Sequence, residues 1–330
     1  MRLLVLGGTS FVGRHIVEAA LDEGHEVTLF NRGRTNPGLF PDCERRAGDR
    51  REGDYASLAQ GEWDALVDVN GYFPRAVREA AAAVDGRVGH YTFVSTCSVY
   101  ADVGDGPVSE DHALATVDDP TTEEVDNETY GGLKVLCEQA VSDLFGQRST
   151  IIRPGIVAGP HDPTDRFTYW VRRAAQGGVV AAPGRPDQAV QAVHGRDQGD
   201  FIVKATAEGL SGAFNTVGPS TPLELAGLIA ACAAAAGTEI EVEWIDEAFL
   251  EASDREVHFP FYIPTSMDYD GLFRCSPARA EAHGFHNRTT EETAADTLAW
   301  DRGRLAEGHV MAGVPTAEEE AALIEEWRRR

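Results

Sequence analysis

Tyr130 and Lys134 stand four residues apart in the run Tyr130-Gly131-Gly132-Leu133-Lys134, a spacing that puts both side chains on one face of a helix. An ammonium beside a phenol favours the phenolate. It lowers a tyrosine pKa from about 10 toward neutrality, where the group can give or take a proton. Lys134 and Lys204 are the only lysines in a chain whose Lys and Arg total 29, so a lysine here suggests that a compact cation is required. A third member of such a set belongs at the carboxyl end of a strand, where ligands of open parallel sheets bind. Phe93-Val94-Ser95-Thr96-Cys97-Ser98-Val99-Tyr100 offers hydroxyls there. Cys97 reads as packing, because no histidine is near it in sequence. A second constellation is Gly7-Gly8-Thr9-Ser10-Phe11-Val12-Gly13. A side chain at 7 or 8 would stand between the backbone and a pyrophosphate, which fits the free N–H groups at a helix N-terminus.

These groups need elements to hold them. Leu3–Leu6 is a fully apolar run, as a strand buried on both faces should be. The helix after the glycine turn carries Phe11, Val12, Ile16, Ala19 and Ala20, Gly24 is placed to end it, and Val27–Phe30 is the second strand. Strand-like runs recur at Asp64–Asp68, His90–Ser95 and Ser149–Arg153, with helical runs at Arg75–Val84 and Tyr130–Phe145 between them. This alternation predicts an α/β fold, a doubly wound, Rossmann-like parallel sheet. From Gly155 prolines break the chain into short pieces, with helices near Leu223–Ala236 and Ala317–Trp327 and a half-exposed strand at Glu239–Trp244. The expected organisation is a dinucleotide-binding domain over residues 1–154 and a smaller, irregular substrate region over 155–330, with part of it (about 190–215) returning to the sheet.

Gly7-x-x-Ser10-x-x-Gly13 resembles the G-x-x-G-x-x-G turn of the short-chain dehydrogenase/reductase superfamily, with Ser10 in place of the middle glycine. That departure recurs in the extended, atypical branch related to NAD-dependent epimerases and dehydratases. Residues 95–100 resemble that branch's S-[ST]-x-x-V-Y stretch, and Val99-Tyr100 sets a register in which the catalytic hydroxyl is Thr96, with Ser95 as the alternative. The resemblance implies that Thr96 hydrogen-bonds the reacting oxygen, Tyr130 exchanges its proton, and Lys134 holds the nicotinamide ribose and tunes Tyr130. Ile151–Pro160, with Pro154 in it, resembles the strand and turn beside the nicotinamide. The likeness runs from the first strand to Asp197 and then fades.

Cofactor residues follow from the same frame: Gly7, Gly8, Thr9, Ser10, Phe11, Val12 and Gly13 at the phosphates, Asn70 and Gly71 at phosphates and ribose, and Ser95, Tyr130, Lys134 and Pro154 near the nicotinamide. Dinucleotide folds that bind NAD carry a carboxylate at the end of the second strand. Here the position reads Asn31-Arg32-Gly33-Arg34, where two arginines can pair a 2′-phosphate, so NADP is favoured with NAD as the alternative. Arg14 is placed to help, and Asp49 to read the adenine amino group. In nucleotide-sugar enzymes of the family an Arg-Asp-Phe stretch grips the diphosphate; here Val190-Gln191-Ala192 replaces it, leaving Arg185 or Arg196 as substitutes. His161, Arg166, Tyr169 and Trp170 follow the nicotinamide turn and are candidates to line a substrate pocket. The main expectation is an NAD(P)-dependent oxidoreductase moving hydride between nicotinamide and a carbonyl or secondary alcohol, with Tyr130 as general acid/base. One alternative is a nucleotide-sugar epimerase or dehydratase that recycles tightly bound NAD. Another is a non-catalytic nucleotide-binding protein, like plastid relatives that bind RNA.

Composition narrows the partners. A net charge of −25 opposes nucleic acid and anionic membrane, both of which need a basic face, and leaves a small-molecule substrate, with a homodimer allowed. No apolar run approaches a bilayer span, and the first strand starts at once, so neither a membrane segment nor a signal peptide is expected. Five cysteines without a C-x-x-C pair read as reduced thiols of a cytoplasmic protein, and no metal site is expected.

Overall fold

The computed structural model describes residues 1–104, 106–253 and 257–330. The first half alternates strand and helix: β1 (Arg2–Leu6), α1 (Phe11–Asp22), β2 (Glu26–Asn31), β3 (Glu44–Ala47), β4 (Trp63–Asp68), α2 (Pro74–Ala83), β5 (Val88–Val94), α3 (Tyr130–Phe145) and β6 (Ser149–Pro154). Leu3 to Leu6 are wholly buried, which a strand covered by helices on both faces requires. Proline opens α2 at its first turn, where its missing N–H costs nothing. Gly24, with φ +76, reverses the chain after α1 into β2.

The second half continues through β7 (Ile156–Ala158), α4 (Arg166–Ala175), β8 (Gly178–Pro183), β9 (Ala189–Val190), β10 (Ala192–His194), α5 (Gly195–Ala207), β11 (Gly212–Thr216), β12 (Leu223–Glu224), α6 (Leu225–Ala236), β13 (Ile240–Ile245), α7 (Glu247–Ala252), α8 (Ala278–Glu281), α9 (Thr290–Ala306) and α10 (Ala317–Arg328). The main sheet is parallel throughout in the order β11-β6-β5-β4-β1-β2-β3. The doubly wound architecture expected from the sequence is therefore present, with β11 of the second half completing one edge. Strand order reverses between β1 and β4, so a crevice opens at their carboxyl ends, the usual ligand position in such sheets.

Apolar clusters cover both faces of the sheet. A separate core joins α4, α6 and α9 around Phe167, Tyr169, Trp170, Leu228 and Leu298. This corrects the pocket reading of Tyr169 and Trp170, which are 2% and 1% exposed core residues. The sequence reading has no helix over 290–306, because α9 buries only a thin face (Thr293, Ala294, Thr297, Leu298, Asp301) and its apolar periodicity is weak. Its start is nonetheless marked by a capping box between Thr289 and Glu292. Arg172 of α4 binds Asp301 of α9 bidentately, at 2.7 Å for both bonds, which fastens these two helices together. No described helix is long and apolar enough to cross a membrane.

Candidate active site

The crevice holds two adjoining cavities of about 300 and 490 Å³ that share Ser10, Val69, Asn70 and Tyr72. The smaller is lined by Gly7, Gly8, Thr9, Asn31, Arg32, Arg34 and Asp49, and the larger by Phe11, Val12, Gly13, Ser95, Thr96, Tyr130, Lys134, Pro154 and Arg166. Residues read from distant stretches of sequence thus meet along one cleft.

The glycine turn has the shape that a dinucleotide needs. Gly7 sits at φ +118, and a Cβ there would come within 2.8 Å of Asn70 Nδ2; a Cβ on Gly13 would meet the Gly8 backbone nitrogen at 2.8 Å. Only glycine keeps this cradle open. Ser10 is the N-cap of α1, yet its hydroxyl makes no capping bond, so first-turn N–H groups remain available to phosphate oxygens. Asn31 shapes the next loop: its Nδ2 donates to the Gly7 carbonyl at 3.3 Å and its Oδ1 accepts from Gly33 N at 2.8 Å. Arg32 and Arg34 are exposed. The residues present therefore fit a bound dinucleotide.

At the larger cavity, Thr96 caps the short turn Cys97–Val99, its Oγ1 accepting from Ser98 N at 3.1 Å. Burial raises the Tyr130 pKa, while the neighbouring Thr96 hydroxyl and the charge of Arg166 oppose the rise. Lys134 is 2% exposed, and its Nζ donates to the carbonyls of Gly71 and Val94 at 2.8 and 2.7 Å. Burial pushes its ammonium down to about 8. This differs from the expected lowering of the Tyr130 pKa: the Lys134 ammonium is committed to two backbone oxygens, and burial of the phenol raises its pKa instead.

Other expectations change as well. The Ser95 hydroxyl donates to Glu138 Oε1 at 2.5 Å, so Ser95 is no substitute for Thr96. Gly71 lines neither cavity; its carbonyl serves Lys134, and a Cβ there would clash with Phe93 at 2.5 Å. His161 also lines neither cavity, its ring lying 5.5 Å from that of Trp300. Arg14 is bound to Glu18 at 2.7 Å, and Arg185 pairs with Asp187 and Asp270. Arg196, with Asp296 as its ion-pair partner, is likewise absent from the cleft lining. The Cys97 thiol donates to the Arg153 carbonyl at 3.2 Å, and burial raises its pKa well above the ordinary value, which suits packing and not a thiolate.

The sequence reading missed several lining residues: Arg50, Tyr72, Gln191, Leu272 and Phe273. Arg50 forms a bidentate pair with wholly buried Asp68, at 2.5 and 2.8 Å. This ties the segment after β3 to the end of β4 beneath the smaller cavity. The only hint in sequence is its place directly after Asp49. No cluster of three or more His, Cys, Asp or Glu placed to hold a metal occurs among the described residues.

The sequence profile of the NAD-dependent epimerase/dehydratase family matches residues 3–60 and 63–218. A chloroplastic protein of Arabidopsis thaliana, the chloroplast stem-loop binding protein of 41 kDa b, is 26% identical over 252 residues; the match covers 72% of this chain and 63% of that protein's length. Among solved structures, UDP-glucose 4-epimerase of Thermotoga maritima superposes with a TM-score of 0.68 at 16% identity, covering 92% of this chain and 100% of that one. UDP-glucuronic acid 4-epimerase of Bacillus cereus, solved with NAD, gives 0.67 at 15% identity, covering 92% and 99%. At such identities these likenesses establish the fold.

Proposed function

The chain belongs to the NAD-dependent epimerase/dehydratase family, and from that membership we propose that it acts as an epimerase or dehydratase on a sugar-type secondary alcohol, restoring its nucleotide in each cycle. The observation that carries this reading is one cleft joining the glycine cradle to Thr96, Tyr130 and Lys134. Bound nicotinamide supplies the hydride acceptor and donor. The Tyr130 phenol exchanges the proton of the reacting hydroxyl, and the Thr96 hydroxyl donates a hydrogen bond to the same oxygen. Lys134 places a cation beneath the site and ties Gly71 and Val94 together. Family membership favours this reading over a net dehydrogenase.

Two finer points belong to the proposal. Arg32 and Arg34 are exposed beside the smaller cavity and have no ion-pair partner among the described residues, which favours NADP over the NAD of the family's name. Arg166 lines the larger cavity; its Nε donates to Thr164 Oγ1 at 3.1 Å, and no described carboxylate pairs with it. That free cation supports a substrate bearing an anionic group, as nucleotide sugars do. The chloroplast relative's name raises stem-loop binding, but a net charge of −25 opposes it.

The test is to identify by mass the nucleotide released from denatured protein, then to incubate intact protein with UDP-glucose and related sugars. Inverted or dehydrated sugar without net change in reduced nucleotide supports the proposal. Stoichiometric accumulation of reduced nucleotide replaces it with a dehydrogenase, and a protein that neither holds nor uses nucleotide overturns both.

A further inference from the structure

We propose that Ser98 is a further catalytic residue, a second hydroxyl that donates a hydrogen bond to the reacting oxygen. The side-chain hydrogens of the segment after β5 are committed one by one. Ser95 Oγ donates to Glu138 Oε1 at 2.5 Å, and the Cys97 thiol donates to the Arg153 carbonyl at 3.2 Å. Thr96 Oγ1 donates to Ser98 Oγ at 3.2 Å while it accepts from Ser98 N at 3.1 Å. The relay ends at Ser98. Its Oγ receives the Thr96 hydrogen, and no acceptor among the described residues takes its own. Ser98 is half-buried and lines the larger cavity with Tyr130 and Lys134, so an oxygen entering that cavity can take this hydrogen.

Backbone packing brings Ser98 against the start of α3, where Tyr130 stands. A Cβ on Gly131, the residue after Tyr130, would run into the Ser98 carbonyl oxygen, so glycine is what lets the two backbones meet. The turn Cys97–Val99 is held from its other end, where the Val99 carbonyl accepts from Ala115 N at 2.7 Å. When a secondary alcohol is oxidised here, its carbon passes a hydride to the bound nicotinamide and its oxygen yields a proton to Tyr130, leaving a carbonyl; the reverse step returns both. Ser98 gives up no proton. It donates a hydrogen bond to an oxygen that carries growing negative charge between those two states. A hydroxyl that accepts one hydrogen bond donates its own more strongly, so the bond from Thr96 reinforces Ser98. Thr96 must turn its hydrogen away from Ser98 to reach the same oxygen, whereas Ser98 is free from the start.

The inference rests on the epimerase reading. Its test uses nucleotide-loaded protein with whichever of UDP-glucose, UDP-glucuronic acid and UDP-N-acetylglucosamine the wild type turns over best, and the nucleotide content of each variant is checked by mass. Ser98→Ala is expected to lower kcat by about 10²-fold and to change KM by less than about threefold. Ser98→Thr keeps the hydroxyl and is expected to regain most of the loss. The double variant with Thr96→Val tells a donor from a support. It is expected to be slower than Thr96→Val alone, because Ser98 bonds the oxygen itself. A double variant equal to Thr96→Val would mean that Ser98 acts only by holding Thr96. That equality, or an unchanged kcat in Ser98→Ala whatever its KM, overturns the role of Ser98 and leaves the proposed function standing. Wild-type protein that holds nucleotide yet transforms none of the three sugars overturns the proposed function and this inference together. If Ser98→Ala does not fold, Ser98→Cys, whose thiol is a weaker donor, is expected to lose kcat in the same direction but less, and wild-type kcat there overturns the proposal.

Discussion

Burying Lys134 has a stability cost that depends on pH, and replacing it with methionine exposes that dependence. Desolvation lowers its pKa from 10.5 to about 8 in the folded chain. The unfolded chain therefore binds the extra proton more tightly, and below pH 8 the folded state carries the full penalty. As pH rises from 8 toward 10.5 the folded lysine is already neutral while the unfolded one loses its proton, so the penalty fades and stability rises with pH. At about 1.4 kcal/mol per tenfold change in proton affinity, the full penalty is about 3 kcal/mol, and about 2 kcal/mol of it disappears between pH 7.5 and 9.5. Lys134→Met removes this dependence. It also strands the Gly71 and Val94 carbonyls, a cost of about 1–3 kcal/mol for each, but that cost does not vary with pH. The decisive quantity is therefore the stability difference between wild type and variant, measured by urea unfolding at both pH values. It is expected to shift by about 2 kcal/mol in favour of wild type at the higher pH. A difference that stays constant would show that Lys134 keeps its ordinary proton affinity and that the two carbonyls offset its burial.

Tyr130→Phe is expected to keep nucleotide affinity and slow turnover by about 10²–10⁴-fold; unchanged turnover on an authentic substrate would remove Tyr130 from the chemistry. Arg32→Ala should weaken NADP by about tenfold or more while leaving NAD nearly unaffected, read by titrating both nucleotides. Equal losses would place Arg32 against the adenine. Arg166→Gln should raise KM for an anionic substrate by about tenfold with a smaller effect on kcat, and an unchanged KM would leave Arg166 as a surface residue.

Local chemistry along the chain determined a good part of this protein. The apolar run Leu3–Leu6, the glycine turn and the helix after it are encoded within some thirty residues, about one βαβ unit, and they form as the period and glycine positions dictate. Tyr130 and Lys134 share a helix face for the same reason, since an i,i+4 spacing needs no tertiary information. What tertiary structure decided is the partner of each polar group. Lys134 reaches Gly71 and Val94, 63 and 40 residues away. The Ser95 hydroxyl takes Glu138 as its partner, and Arg50 pairs with Asp68. Tyr169 and Trp170, polar-tipped residues that suit a pocket, are drawn instead into the core that α9 closes. A buried donor takes whichever acceptor the packed backbone brings within reach. That choice depends on how strands and helices from distant parts of the chain are stacked, so the residue types announce the chemistry and only the assembled sheet assigns each group its contacts.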